Sequence, residues 1–155
     1  MVENFHARWR TPFATVGIVT DGDYVTRITF LSRRHKELAP RTPAAALACE
    51  QLAAYLSDPR FKFTLPLSIE GTLHQKAVWR AMQKIPSGET CTYGQLANFI
   101  KSAPRAIGGA CGANPVPIII PCHRVVSKTG MGGFMGAADG DPLKIKAWLL
   151  AHERR

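Results

Sequence analysis

The sequence predicts an α+β protein: a small strand-bearing N-terminal part followed by a mostly helical C-terminal part. Two observations carry this. β-Branched and aromatic residues crowd "FATVGIVT" (13–20) and "YVTRITF" (24–30), and "DGD" lies between them, a hairpin signal. From residue 74 onward apolar residues recur at helical spacing instead, as Val78, Met82 and Ile85 do.

Taken in chain order, "TPAAALACEQLAAYL" (42–56) has strong helix formers, and "DPR" ends it. "FKFTLPL" (61–67) alternates as a strand would. "SIEGT" (68–72) reads as a linker, so the domains are set at 1–67 and 68–155. "HQKAVWRAMQKI" (74–85) is a helix stopped by "PSGE". Thr92 then opens "TYGQLANFI" with Gln95 three residues on, a capping box. A turn at "KSAP" (101–104) leads into "RAIGGACGAN" (105–114). Two short helices around a tight turn suggest a helix-turn-helix. Asp141 and Pro142 start a last helix, "LKIKAWLLAHE", in which Ile145, Trp148, Leu149 and His152 make an apolar face.

Composition narrows the function classes. With 46% hydrophobic and 20% charged residues, the chain is globular, not disordered. No run of about 18 apolar residues exists to span a membrane, and "MVENFHARWR" is not a secretory signal. A cytosolic location is the default expectation. The net charge of +9 fits either a solvated basic surface or a polyanionic partner, nucleic acid first. Cys49, Cys91, Cys111 and Cys122 form no C-x-x-C pair and no zinc-ligand spacing. Three of them are expected to be small buried hydrophobes; Cys122 is a separate case.

The segment "RAIGGACGAN" is a poor helix by propensity, because each interior glycine costs about 1 kcal/mol relative to alanine. Close helix packing, a loop, or a backbone that must approach something closely would each explain Gly108 and Gly109. A helix of Ala and Gly could press into a DNA minor groove, which is only about 6 Å wide. Arg105, at its start, could enter the groove or fill the gap left by an extruded base.

Cys122 and His123 lie in "NPVPIIIPCHRVV" (114–126). A free thiol is only a few per cent thiolate at neutral pH, so a nucleophilic cysteine needs a base, a cation or a helix N-terminus beside it. Neighbouring side chains in an extended segment point to opposite faces. His123 can therefore serve Cys122 only if the backbone turns after Pro121 or if a water bridges them.

"NPVPIIIPCHRVV" resembles the active-site signature of the O6-alkylguanine-DNA alkyltransferases, also called methylated-DNA–protein-cysteine methyltransferases. "VWRAMQKIPSGETCTYGQLA", "RAIGGACGANP", "GGFMG" and "AWLLAHE" stand in that family's order and spacing, so the likeness covers roughly residues 72–153. It implies a ribonuclease-H-like α/β fold for the N-terminal domain and a winged-helix-like helix-turn-helix in the C-terminal one.

The resemblance also implies roles. Cys122 is the alkyl acceptor, His123 its base through a water, and Glu153 the carboxylate that orients the histidine. Tyr93 hydrogen-bonds the base and Asn114 braces the turn beneath the site. The backbone at Val125 and Met135 hydrogen-bonds the guanine edge, and Phe134 walls the pocket. Arg105, Ala106 and Gly109 are implied DNA contacts, with Arg105 the finger that replaces the flipped nucleotide. No metal and no cofactor are expected. The implied reaction is stoichiometric: one alkyl group passes from O6-alkylguanine in duplex DNA to Cys122, with O4-alkylthymine a second candidate substrate. The expected state is a monomer, with cooperativity on DNA left open.

Three departures from the family pattern stand out. Phe134 replaces a common tyrosine, Met135 replaces a smaller or polar residue, and "GAADGDPLK" (136–144) is longer than usual. Two rival readings remain. A non-catalytic alkyltransferase-like protein would lack the cysteine that stands here. A cysteine hydrolase built on Cys122, His123 and Glu153 would not explain the basic charge or the Ala/Gly helix.

Overall fold

The computed structural model describes residues 4–134 and 141–155. Its residues group into two units that divide between Ile69 and Glu70.

The N-terminal unit is a three-stranded antiparallel sheet with one helix. Strands β1 (Ala7–Arg10), β2 (Thr15–Asp21) and β3 (Tyr24–Leu31) lie in the order β1-β2-β3. The β2–β3 hairpin turns at Gly22, whose φ of +58° suits a residue without a Cβ. Val16 pairs with Phe30 and Ile18 with Ile28, so these four share one face. Helix α1 (Pro43–Ser57) contributes Ala45, Ala48, Leu52 and Tyr55 to the same buried core. Its N-cap Thr42 accepts from Ala45 N at 3.1 Å and has Pro43 at the first turn.

Two expectations change here. Strand β1 does alternate, Ala7 and Trp9 with Arg8 and Arg10, but at four residues it is too short for the pattern to stand out. The segment 61–67 is not a strand: among the described residues it makes only an isolated bridge, Leu67 with Val25. The Thr64 N–H is taken up by Gln51 of α1 at 2.9 Å, and Gln51 also donates to Thr64 Oγ1 at 2.7 Å. Pro66 also lacks an N–H for any ladder.

The C-terminal unit is mostly helical. Helix α2 (Leu73–Gln83), α3 (Tyr93–Ile100), α4 (Pro104–Gly112) and α5 (Pro142–Glu153) are joined by a two-stranded parallel pair, β4 (Cys91–Thr92) with β5 (Val125–Val126). Both α2 and α3 begin with full capping boxes, Thr72 with Gln75 and Thr92 with Gln95. Helix α3 ends at Lys101, which takes a left-handed φ of 57° to turn the chain into α4. Val78, Met82, Leu96, Ala97, Ile107 and Ala110 form the core of this three-helix cluster. Trp79 anchors α2 to α4 by donating its indole N–H to Ala110 O at 2.9 Å.

The helix-turn pair 92–114 thus forms as expected. The glycines of α4 do not serve close helix packing. Among the described residues, a Cβ built on Gly108, Gly109 or Gly112 would meet nothing within 4 Å. They leave a smooth, exposed strip of backbone.

Candidate active site

Asn114 ends the α4 region and sets the geometry of the loop after it. It is buried, accepts from Val116 N at 3.0 Å and donates to Ile120 O at 2.8 Å. These bonds clamp a loop in which Ile118 takes φ of +73°. Positive φ at a β-branched residue costs on the order of 1–3 kcal/mol and persists only where surroundings impose it. Burial of Val116, Ile118, Ile119 and Ile120 supplies that constraint. The apolar run "PIIIP" is therefore the packed floor on which Cys122 and His123 stand.

After Pro121 the chain turns sharply. Cys122–Arg124 form one turn of 3-10 helix, so Cys122 and His123 are not held on opposite faces of an extended strand. They make no direct hydrogen bond to each other among the described residues. The Cys122 thiol is 2% exposed. Burial pushes it up to about 11, against the nearby Asn114 amide and the positive charge of Lys146, which favour the thiolate.

His123 is fully buried, and its Nε2 lies 2.8 Å from Glu153 Oε2. Burial lowers its pKa, and the pull of Glu153 only partly restores it. The imidazole is therefore neutral at pH 7. With Glu153 ionised, Nε2 carries the proton and donates it, so Nδ1 presents a lone pair. That Nδ1 is buried and has no hydrogen-bond partner among the described residues.

Glu153 is held from two sides. Arg124 donates Nε to Oε1 at 2.8 Å and Nη2 to Oε2 at 2.9 Å, a bidentate pair. Arg124 also donates Nη1 to Ile85 O at 2.6 Å. Burial alone would raise the Glu153 carboxyl. The bonds from His123 and Arg124 outweigh it and hold the group well below the usual carboxylate range.

Lys146 is a site residue that the sequence patterns did not single out. It is fully buried on α5 and donates to Val125 O at 2.8 Å and to Gly133 O at 2.5 Å. Burial lowers its pKa, while the neighbouring Cys122 and Cys111 sulfurs raise it. Tyr93, at the first turn of α3, donates its hydroxyl to the same Gly133 O at 3.3 Å, and Lys146 Nζ sits 6.0 Å from its ring. Burial raises the Tyr93 phenol, with Cys111 and Cys122 adding to it. Gly132 must be glycine: its φ is +73°, and a Cβ would meet Tyr93 Cε2 and Ser127 N at 3.0 Å each. Cys111, the second buried thiol of this cluster, is pushed up to about 12, mainly by burial.

The expected site residues thus divide. Cys122, His123, Glu153, Asn114 and the Val125 carbonyl gather with Tyr93 around one cluster. Phe134 is half-buried at the end of the described segment. Met135, and most of the long 136–144 segment, lie outside the described residues. Arg105 and Gly109 are exposed and Ala106 half-buried on α4, outside this network. Chemically, the cluster offers a thiol, a bare imidazole nitrogen, a buried cation and a phenol.

Known proteins resemble this chain along most of its length. A family profile described as the DNA-binding domain of 6-O-methylguanine DNA methyltransferase matches residues 73–155. The constitutive methylated-DNA–protein-cysteine methyltransferase of Bacillus subtilis is 37% identical over 97% of this chain and 96% of that protein. A Methanosarcina acetivorans protein of the same name is 35% identical over 96% of this chain and 97% of its own length. The crystal structure of Mycobacterium tuberculosis O6-methylguanine methyltransferase superposes with a TM-score of 0.81 at 31% identity, covering 97% of this chain and 93% of that one. The M. tuberculosis OGT structure in complex with DNA gives 0.80 at 33% identity, over 95% and 91% of the two chains. With a profile spanning its C-terminal half and relatives aligned end to end, this chain belongs to the methylated-DNA–protein-cysteine methyltransferase family.

Proposed function

We propose that this protein repairs duplex DNA by taking the alkyl group of O6-alkylguanine onto Cys122, once per chain. The observation that carries the reading is the buried His123 Nδ1. It is a bare base one residue from the thiol, fixed by the Nε2 bond to Glu153 at 2.8 Å. Family membership supplies the substrate class.

The proposed step balances simply. The Cys122 proton passes to His123 Nδ1, through a bridging water. Sulfur attacks the alkyl carbon, an S–C bond forms, and the C–O bond breaks. The electron pair leaves on guanine, whose anion takes a proton from the Tyr93 hydroxyl. Glu153, held in place and ionised by Arg124, stabilises the imidazolium that develops, in the manner of a triad. Lys146 lends positive charge to the sulfur and holds the Val125 and Gly133 carbonyls that frame the guanine edge; Phe134 and the Met135 backbone complete the wall. The product is a thioether, which no longer acts as a nucleophile, so turnover stops.

The alkyl carbon lies inside the base stack, so the nucleotide must leave the helix first, at a cost of a few kcal/mol. We assign α3 and α4 as the helix-turn-helix, with α4 pressed into the minor groove along Ala106 and Gly109. Arg105 stands at the helix start, where it can occupy the vacated stack. The open strip at Gly108, Gly109 and Gly112 supports this, since no described residue packs on it. The ribonuclease-H-like description of the N-terminal unit belongs to the same reading.

The test is methyl transfer from a labelled O6-methylguanine duplex. Cys122→Ala should abolish transfer while leaving DNA binding within about twofold of the parent, since the thiol is buried and the exposed strip of α4 is untouched. Transfer that persists in this variant would move the acceptor elsewhere.

A further inference from the structure

We infer that the N-terminal unit carries a second phosphate-binding surface: a basic rim built from β1 and the loop after β3 that grips the backbone of duplex DNA. The inference rests on DNA being the substrate, as proposed above. Arg8 and Arg10 alternate along β1 and so face the same side. The loop after β3 brings Arg33, Arg34, Lys36 and Arg41 against Glu37 as its one acid.

Surface loops are ordinarily mobile. This one is fastened to β1. Arg8 donates Nε to Lys36 O at 2.8 Å; Arg10 donates Nε to Arg33 O at 3.0 Å and Nη2 to His35 O at 2.9 Å. Arg33 donates Nε back to Thr11 O at 3.0 Å. Arg8 and Leu38 exchange backbone bonds of 3.0 and 2.9 Å. A guanidinium has five donors, so each of these arginines keeps donors in hand after fixing the loop.

Arg34, Lys36 and Arg41 are exposed, and their side chains make no hydrogen bond among the described residues. Crowding like charges on a fixed backbone is unfavourable within a screening length of about 10 Å. A polyanion relieves it, and the fastened loop backbone need not be ordered on binding. The DNA backbone is the polyanion this protein must meet, and it presents a charge every 3.4 Å or so along each strand. The contact is independent of sequence and of the lesion.

The test uses the full chain with Arg34, Lys36 and Arg41 all changed to Gln. Affinity for an undamaged duplex is read by fluorescence anisotropy across a salt series. The slope of log K against log salt should shrink by about two to three, at about 0.9 per lost phosphate contact, with binding weakened about tenfold or more. Methyl transfer from the free base O6-methylguanine should stay at the parent rate, because no phosphate takes part. The charge-keeping pair Arg34→Lys and Arg41→Lys should keep the parent slope. An unchanged slope in the Gln variant overturns the inference, and so does an equal loss in the Lys variant. Loss of binding to an acidic peptide with duplex binding intact overturns it as well, in favour of a protein partner. A parent chain that transfers no methyl at all would sink the alkyl-transfer reading instead, and the salt slope would still be measurable.

Discussion

Glu153 accepts from His123 at 2.8 Å and from Arg124 at 2.8 and 2.9 Å, so one carboxylate neutralises a permanent cation and orients a neutral base. Glu153 closes α5, while His123 and Arg124 lie in the 3-10 turn 30 residues earlier. The last turn of the last helix therefore completes the site.

Removing that charge should be costly twice. Glu153→Gln leaves Arg124 partly buried without its anion and gives His123 a neutral amide in place of a carboxylate. Breaking such a pair from one side costs about 3 kcal/mol, visible as a lower urea midpoint. Methyl transfer should fall by about a hundredfold or more, because the imidazolium is no longer stabilised. A variant with parent stability and parent rate would contradict the assignment.

The pH dependence has a definite sign. His123 is depressed by burial, so the folded protein resists its protonation more than the unfolded chain does. The stability linked to this group is fully present above about pH 6.5, the free value, and falls as pH drops toward the folded value. Glu153 is depressed too, and its contribution is lost further down, below about pH 4.3. Both act in one direction: urea stability should decline steadily from pH 7 to pH 4. The transfer rate should be flat down to about pH 6.5 and fall only below it, since the base must be unprotonated. A rate that already falls between pH 8 and 7 would mean that His123 titrates higher than its burial allows.

Lys146→Met should test the buried cation. The loss takes the side-chain donor from the Val125 carbonyl, at about 1–3 kcal/mol, while Gly133 O keeps its bond from Tyr93. It also removes positive charge near Cys122, so the thiol should resist ionisation more. Carboxymethylation by iodoacetate should slow relative to the parent at every pH from 7 to 9. Equal rates in the two proteins would show that Lys146 does not act on the sulfur.

Arg105→Ala should separate flipping from chemistry. It should slow repair of a duplex by about tenfold or more and leave transfer from free O6-methylguanine unchanged, since flipping costs a few kcal/mol only in the duplex. Equal losses on the two substrates would argue against a finger.

Much of the frame was legible because local rules agreed with the fold. Thr92 and Gln95 announced α3, and "DGD" announced the hairpin. Other elements were hidden for physical reasons. The parallel pair β4–β5 has two residues per strand, too few for any period to register. The alternation in 61–67 is real, but Gln51 takes up the backbone N–H of Thr64 that a ladder would need. At the site, the signature singled out Cys122 and His123, whereas Glu153 came only from family likeness. Arg124 sat inside the signature without a role, because its bidentate bond crosses from one element to another. Lys146 does carry a signal in the sequence. It shares the i, i+3, i+4, i+7 stripe with Leu149, Leu150 and Glu153, all buried. A lysine on a buried stripe needs partners, and here they are two backbone carbonyls of the site.

The most direct measurement is intact mass, with peptide mapping, after mixing the protein with excess O6-methylguanine duplex. One methyl should be added per chain, saturating there, on the peptide that carries Cys122. Methyl groups on any other cysteine, or repeated release of product from an unmodified chain, would contradict it.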